Sequence, residues 1–253
     1  MVAPQVLALR LEGPLQSWGD SAKWSIRDTR PEPTMSGVLG LLAAAVGWRL
    51  DDDGDRRVTE LAGKIRLGVR ADREGAPLRD YHTIGGTRSG HETPWTGLLT
   101  AEGKTKRNPS DAALHTEISE RNYLCDACFL VMLEADEATL DGIESALRSP
   151  VWPPFLGRKA CVPAAPLYPP RPDDSGRVAA SLIEAIASYP WLGRSGDEPP
   201  ARLRVVLDEA SGSTIGLRGL RRDAPRSFQH RRFGHRYVRE FTVAAVQRST
   251  EAS

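Results

Sequence analysis

Apolar residues first gather at Val6, Leu7, Ala8, Leu9 and Leu11, a run closed by Gly13-Pro14 that reads as a buried β-strand. Turn formers dominate from Gln16 to Pro33. Ser36 is then suited to cap a helix through Val38, Leu39, Leu41, Leu42, Ala45 and Val46. Asp51-Asp52-Asp53-Gly54-Asp55 reads as a solvated turn. Ile65, Leu67 and Val69 alternate with Lys64, Arg66 and Arg70, which predicts a half-buried strand with a basic outer face. A further short strand is expected near Leu78 to Thr83.

From about Asp80 to Glu120 the pattern is lost, with Gly85, Gly86, Gly90, Gly97 and Gly103 punctuating it. So long an insert between ordinary elements predicts a projecting arm, for which a hairpin is one form. Order returns in one apolar strand from Tyr123 to Leu133, then in an amphipathic helix from Asp136 to Arg148 with Leu140, Ile143 and Leu147 on one face. Prolines from Pro150 to Pro172 mark an extended segment. A helix at Val178 to Ala187 and strands at Leu203 to Leu207 and Tyr237 to Val246 complete the expected elements. The fold class expected is α+β, with a ferredoxin-like βαββαβ core. Residues 1–160 would form that domain, with the arm at about 80–120, and residues 161–253 a Pro-rich extension whose C-terminal strands pack on it.

The net charge of +1 favours no partner in bulk, and three cysteines do not make a disulfide framework. The longest nearly apolar run, Val38 to Trp48, is about half the ~20 residues needed to span a bilayer. No basic segment precedes the first apolar stretch, so neither a signal peptide nor a membrane partner is expected, and the expected compartment is the cytoplasm. Charge becomes informative locally. Only five basic residues are lysine, leaving 29 arginines. Eight of them, with one Asp, lie between Arg218 and Arg239, a balance of +7, so the remainder sums to −6. Arginine's planar fork suits phosphate, and such a cluster is the footprint of a polyanion or of a solvated charged face.

Candidate chemistry is sparse. Cys125-Asp126-Ala127-Cys128 is a C-x-x-C, but within one strand its thiols would face opposite sides, so neither a metal nor a redox role is expected. Gly85-Gly86-Thr87-Arg88-Ser89-Gly90-His91 lacks the Lys and the following helix of a phosphate loop. The histidines at 82, 91, 115, 230 and 235 show no paired spacing on one helix. Aromatic and basic residues interleave at Trp18, Trp24, Arg27 and Arg30, and again at Phe228, Arg231, Arg232, Phe233, Arg236 and Tyr237, as single-stranded RNA binding requires. Ser36 and Gly37 at a helix start could offer backbone N–H groups to phosphate.

Four blocks carry a resemblance. Leu9-Arg10-Leu11-Glu12-Gly13-Pro14-Leu15-Gln16-Ser17-Trp18-Gly19, the helix start Pro33-Thr34-Met35-Ser36-Gly37, the segment Arg121-Asn122-Tyr123-Leu124-Cys125-Asp126-Ala127, and Phe155-Leu156-Gly157-Arg158-Lys159-Ala160-Cys161 together resemble the CasD family of type I-E CRISPR Cascade subunits. They fall in family order across about two-thirds of the chain. Met35 departs from the Lys usual there, which leaves Ser36 and its backbone to carry a phosphate contact. The resemblance implies an RRM-like fold of the RAMP superfamily with a thumb. It also implies a subunit without catalysis or cofactor that binds the 5′ handle of the guide RNA. The implied partners are the Cascade backbone subunit, the large subunit and, through the complex, target DNA. On this reading Gln16, Ser17, Trp18, Arg27, Arg30, Ser36, Gly37, Arg158 and Lys159 hold the handle, and Lys104, Lys106 and Arg107 lie on the thumb. The alternative is a metal-independent endoribonuclease cutting the CRISPR repeat through His82, His91 or His115.

Overall fold

The computed structural model describes residues 5–19, 22–23, 25–85, 97–110, 112–171, 175–194, 196–209 and 214–247. In chain order its elements are β1 (Gln5–Glu12), β2 (Leu15–Gln16), β3 (Ala22–Lys23), β4 (Ile26–Arg27), α1 (Met35–Val46), α2 (Asp52–Lys64), β5 (Arg66–Arg73) and β6 (Ala76–Gly85). There follow β7 (Thr116–Cys125), β8 (Cys128–Ala135), α3 (Glu137–Arg148), β9 (Arg177–Ala179), α4 (Leu182–Ser188), β10 (Arg202–Asp208), β11 (Leu217–Ser227) and β12 (Arg232–Ala244). One sheet runs β11–β12–β10–β5–β8–β1–β9, and every neighbouring pair in it is antiparallel. The C-terminal strands β10 to β12 thus continue the sheet that begins at β1.

β1 and β8 lie inside this sheet and are covered on both faces, which is why they read as continuous apolar runs rather than alternations. Leu7, Leu9, Leu11, Phe129, Val131 and Leu133 face a core completed by α1, α2 and α3. Val6, Ala8, Leu130 and Met132 face the opposite side, against Leu182, Ala185 and Ile186 of α4. Layers on both faces of a mostly antiparallel sheet make the α+β class expected from the sequence.

Several elements differ from expectation. The acidic run after α1 is the first turn of α2, not a free turn. Asp51 caps that helix by accepting the Gly54 N–H at 2.9 Å, and Asp52, Asp53 and Asp55 fill its first turn, where the helix dipole favours negative charge. Gly54 is required there, because a Cβ would stand 1.9 Å from the Arg49 carbonyl oxygen. The apolar stretch read as one strand is two, β7 and β8, divided at Asp126, whose φ of 58° turns the chain from one sheet to the other. Cys125 and Cys128 therefore straddle a turn instead of facing apart on a strand. Cys128 is wholly buried, its thiol points at the Leu192 carbonyl oxygen at 3.8 Å, and burial pushes its pKa up to about 12. Among the described residues no group of three or more His, Cys, Asp or Glu side chains is placed to hold a metal ion. No helix among them is long and apolar enough to cross a membrane.

The helix expected from Val178 starts later. Arg177–Ala179 pairs with Gln5–Leu7 as β9, and Ser181 and Glu184 form a reciprocal capping box that begins α4 at Leu182. β11 had no counterpart in the sequence reading. The arm is more regular than its composition suggests, since β6 and β7 pair through ten positions from Ala76–Cys125 to Gly85–Thr116. Beyond them, isolated bridges join Leu99 to Thr105 and Arg107 to Leu114. Most of the glycine run, with His91, lies outside the described residues.

The basic outer face expected of β5 is covered too. Arg70 is fully buried under the end of α4, where Nε and Nη2 donate to the Asp72 carboxylate at 2.6 and 2.9 Å. Its Nη1 donates to the Ile186 and Tyr189 carbonyl oxygens at 2.8 and 2.7 Å, and Asp72 accepts the Leu192 N–H at 2.7 Å. Removing one partner strands a buried charge, whereas removing both does not. Asp72→Ala should therefore cost about 3–5 kcal/mol in chemical denaturation, and the double replacement Arg70→Met with Asp72→Leu should cost clearly less.

Candidate nucleic-acid interface

The candidate site grows out of the end of β1. Gln16 is fully buried and donates to the carbonyl oxygens of Leu11 and Ala127 at 3.0 and 2.8 Å. Its Oε1 accepts the indole N–H of Trp18 at 3.0 Å. Trp18 is 1% exposed, and its ring lies against α1 where Gly37 has no side chain; a Cβ there would be 2.8 Å from the ring. Gln16, Trp18 and Gly37 thus form a packed set: Gln16 and Trp18 are buried with their polar atoms bonded inside the protein, which leaves neither exposed to hold RNA, and Gly37 is half-buried against the Trp18 ring. Their effect is to fix Ser17, whose Oγ donates to the Asn122 carbonyl oxygen at 3.2 Å.

A second segment closes onto Ser17. The Ser17 N–H donates to the Leu156 carbonyl oxygen at 3.1 Å, and Gly157 follows with φ of 90°. A Cβ at Gly157 would stand 1.7 Å from the Ser17 carbonyl oxygen, so only glycine fits. Arg158 is then directed across β7 and β4. Its guanidinium lies over the Tyr123 ring at 4.7 Å, and Nη2 donates to the Arg27 carbonyl oxygen at 3.0 Å.

Ser17, Gly19, Arg27, Asp28, Ser36, Gly157 and Arg158 together line a cleft of about 530 Å³. The β11–β12 hairpin contributes Arg222, Arg231 and Phe233 to it. Four expected residues, Ser17, Arg27, Ser36 and Arg158, therefore meet in one place. Four arginines, Arg27, Arg158, Arg222 and Arg231, line the cleft, and among the described residues Asp28 is its one acidic lining residue.

The helix start differs in detail from expectation. Thr34, not Ser36, is the cap, and its Oγ1 accepts the Gly37 N–H at 3.2 Å. The Met35 N–H donates to Asp223 Oδ2 at 2.8 Å. Two of the first three helix amides are thus already used inside the protein. The Met35 side chain is buried and faces a different cleft, beside Asp208 and Arg236.

The remaining expected residues lie elsewhere. Arg30 is ion-paired with Glu32 at 3.6 Å, a carboxylate that also meets Arg204 and Arg221. Lys159 lines a separate groove of about 570 Å³ with Trp48, Phe155 and Phe228. Lys104, Lys106 and Arg107 sit on the arm. There the Lys106 ammonium donates to Glu117 at 2.8 Å, holding that carboxyl below the usual range, and Arg107 donates to the Ala112 carbonyl oxygen at 2.7 Å. Trp24 lies outside the described residues. His115 is held by Asn108 and Glu117 on the arm, and His82 is 3.5 Å from Asp80 on β6.

The Arg-rich tail divides into two sets. Arg218 and Arg239 pair with Glu209, Arg221 with Glu32 and Glu240, and Arg236 with Asp208 and Asp223. Arg222, Arg226, Arg231 and Arg232 are exposed and have no carboxylate partner among the described residues. The doublet Arg221-Arg222 held a signal for this division, because consecutive strand residues face opposite sides. Sequence reasoning left Arg222, Arg231 and Phe233 without individual roles.

Comparison with known proteins places the chain. The family model for "CRISPR-associated protein (Cas_Cas5)" matches residues 6–239. "CRISPR system Cascade subunit CasD" of Escherichia coli (strain K12) is 35% identical over 173 residues, which cover 64% of this chain and 69% of that protein. A chain of a solved "CRISPR RNA-guided surveillance complex" aligns with TM-score 0.72 and 35% identity, covering 95% of this chain and 90% of its own. A second solved structure, "Crystal structure of Cas protein", aligns with TM-score 0.65 and 36% identity over 94% of this chain and 95% of that one. With the family model spanning nearly the whole chain and relatives above 30% identity agreeing with it, this protein belongs to the CRISPR-associated protein (Cas_Cas5) family.

Proposed function

We propose that this chain is an RNA-binding, non-catalytic subunit of a type I-E CRISPR interference complex, and that it holds the 5′ handle of the guide RNA in the arginine cleft. The observation that carries this reading is the convergence of Arg27, Arg158, Arg222 and Arg231, with Phe233, from four separate segments onto one groove. Arginine supplies forked hydrogen bonds to phosphate, and an aromatic ring offers a face for a base. The resemblance to a chain of a surveillance complex and to a Cascade subunit supports membership of such an assembly. The backbone and large subunits are its proposed neighbours, the arm its proposed route to them, and the cytoplasm its proposed compartment.

We also assign the core to the ferredoxin-like class. The strand order β9–β1–β8–β5, the helices α1 and α3 between β1 and β5 and between β8 and β9, and the antiparallel pairing support that assignment. β10 to β12 would then be the C-terminal extension, and the β6–β7 ribbon the base of the thumb.

Among the described residues that line the cleft none is a histidine, and neither His82 nor His115 is one of them. Incubated with repeat RNA in the presence of a chelator, the purified protein should leave the RNA intact on a denaturing gel; specific cleavage lost in His115→Ala or His82→Ala would establish the ribonuclease instead. Arg158 and Lys159 should also separate. Arg158→Ala should weaken binding of a guide-derived single-stranded RNA and make the dependence of log K on log salt shallower by about 0.7, the share of one phosphate contact. Lys159→Ala, on the other groove, should leave both quantities near wild type in the same titrations. Equal losses from the two would move the RNA path onto the aromatic groove.

A further inference from the structure

Arg222 and Asp223 are neighbours in β11, yet one lines the cleft and the other is 2% exposed. β11 and β12 pair at Arg221–Arg236 and next at Ala224–Gly234, so Arg222 and Asp223 together stand opposite the single residue His235. This is a β-bulge. Burial alternates along β11 straight through it, so Arg222 faces the cleft and Asp223 faces inward.

The inward carboxylate is fully engaged. Oδ1 accepts Arg236 Nε at 2.7 Å, and Oδ2 accepts Arg236 Nη2 at 2.9 Å and the Met35 N–H at 2.8 Å. Arg236 pairs in turn with Asp208, which accepts the Leu67 N–H at 2.7 Å. A buried chain of charge-assisted bonds thus ties the bulge to the first amide of α1 and to β5. The residues next to the two bonded ones, Arg222 beside Asp223 and Ser36 beside Met35, both line the cleft. Asp223 also occupies the place at the helix start where an anion would bind, so a phosphate in the cleft is left to the arginines.

We propose that Asp223 is a positioning residue of the RNA cleft, which sets Arg222 in that cleft by holding the β11 bulge to the start of α1. This inference rests on the cleft binding RNA. The test is a double-mutant cycle on the full-length protein, titrating a labelled single-stranded RNA with the 5′ sequence of a mature guide at several salt concentrations. Arg222→Ala should weaken binding about tenfold and make the salt slope shallower by about 0.7. Asp223→Asn, similar in size but lacking the charge, should lose a similar factor with the same change of slope. Combined with Arg222→Ala it should bind no more weakly than Arg222→Ala alone.

An Asp223→Asn protein that binds like wild type overturns the proposal, as does one that loses the same factor again in the Arg222→Ala background. Should Asp223→Asn fail to fold by circular dichroism, Arg236→Lys takes its place. It keeps a cation between the two carboxylates and removes only the fork, and the same dependence on Arg222 is expected of it. If Arg222→Ala and Arg158→Ala both bind like wild type, it is the RNA cleft itself that fails, and the positioning role falls with it.

Discussion

The candidate interface depends on one close approach of backbone to backbone, at Gly157 and Ser17. A β-carbon at Gly157 would overlap the Ser17 carbonyl oxygen, so the absence of a side chain lets the two segments lie together. That contact is itself anchored in the large sheet. Gln16 and Trp18, on either side of Ser17, are fixed by the Leu11 and Ala127 carbonyl oxygens and by the surface of α1 at Gly37. Arg158 therefore leaves a rigid turn and is stacked on Tyr123 before any ligand arrives. A side chain already ordered loses less entropy on binding, which favours a preformed cleft over a flexible basic tail.

The parts of this architecture that were legible in the sequence are those with one dominant signal. Leu140, Ile143 and Leu147 announce α3, and the apolar run at Val6 to Leu11 announces a strand buried on both faces. α2 was hidden because a run of aspartates is equally a turn signal and a first-turn helix signal. The β7–β8 boundary was hidden because Asp126-Ala127 interrupts the apolar pattern for only two residues, and Asp126 tolerates the positive φ that the turn needs. β11 carries so many arginines that no apolar alternation marks it, although its inward positions include Asp223, Pro225 and Ser227.

The site was legible in a different way. Resemblance drew attention to Ser17, Arg27, Ser36 and Arg158, which the fold brings together. It drew equal attention to Gln16, Trp18 and Gly37, which pack the end of β1 against α1. A motif carries residues that support a surface along with those that form it, and only the contacts of the folded chain separate the two. Arg222 and Arg231 came from charge density instead, a signal that names a segment but not a face.

Charge density alone would also have misjudged the tail. Half of its arginines are paired with Asp208, Glu209, Asp223, Glu240 and Glu32; Arg218 pairs at the surface, while Arg221, Arg236 and Arg239 are part-buried and hold the hairpin on the sheet and the helices. Half-buried pairs such as Arg236 with Asp223 are little screened by salt, whereas charges that face solvent are screened beyond about 8–10 Å at physiological ionic strength. The hairpin therefore combines two electrostatic regimes in one strand pair. Its inward charges keep their geometry as salt rises, while its outward charges, Arg222 and Arg231 among them, lose their hold on a polyanion. Binding that weakens steeply with salt while the fold stays unchanged is the behaviour this division implies, and it follows from where the arginines point rather than from how many there are.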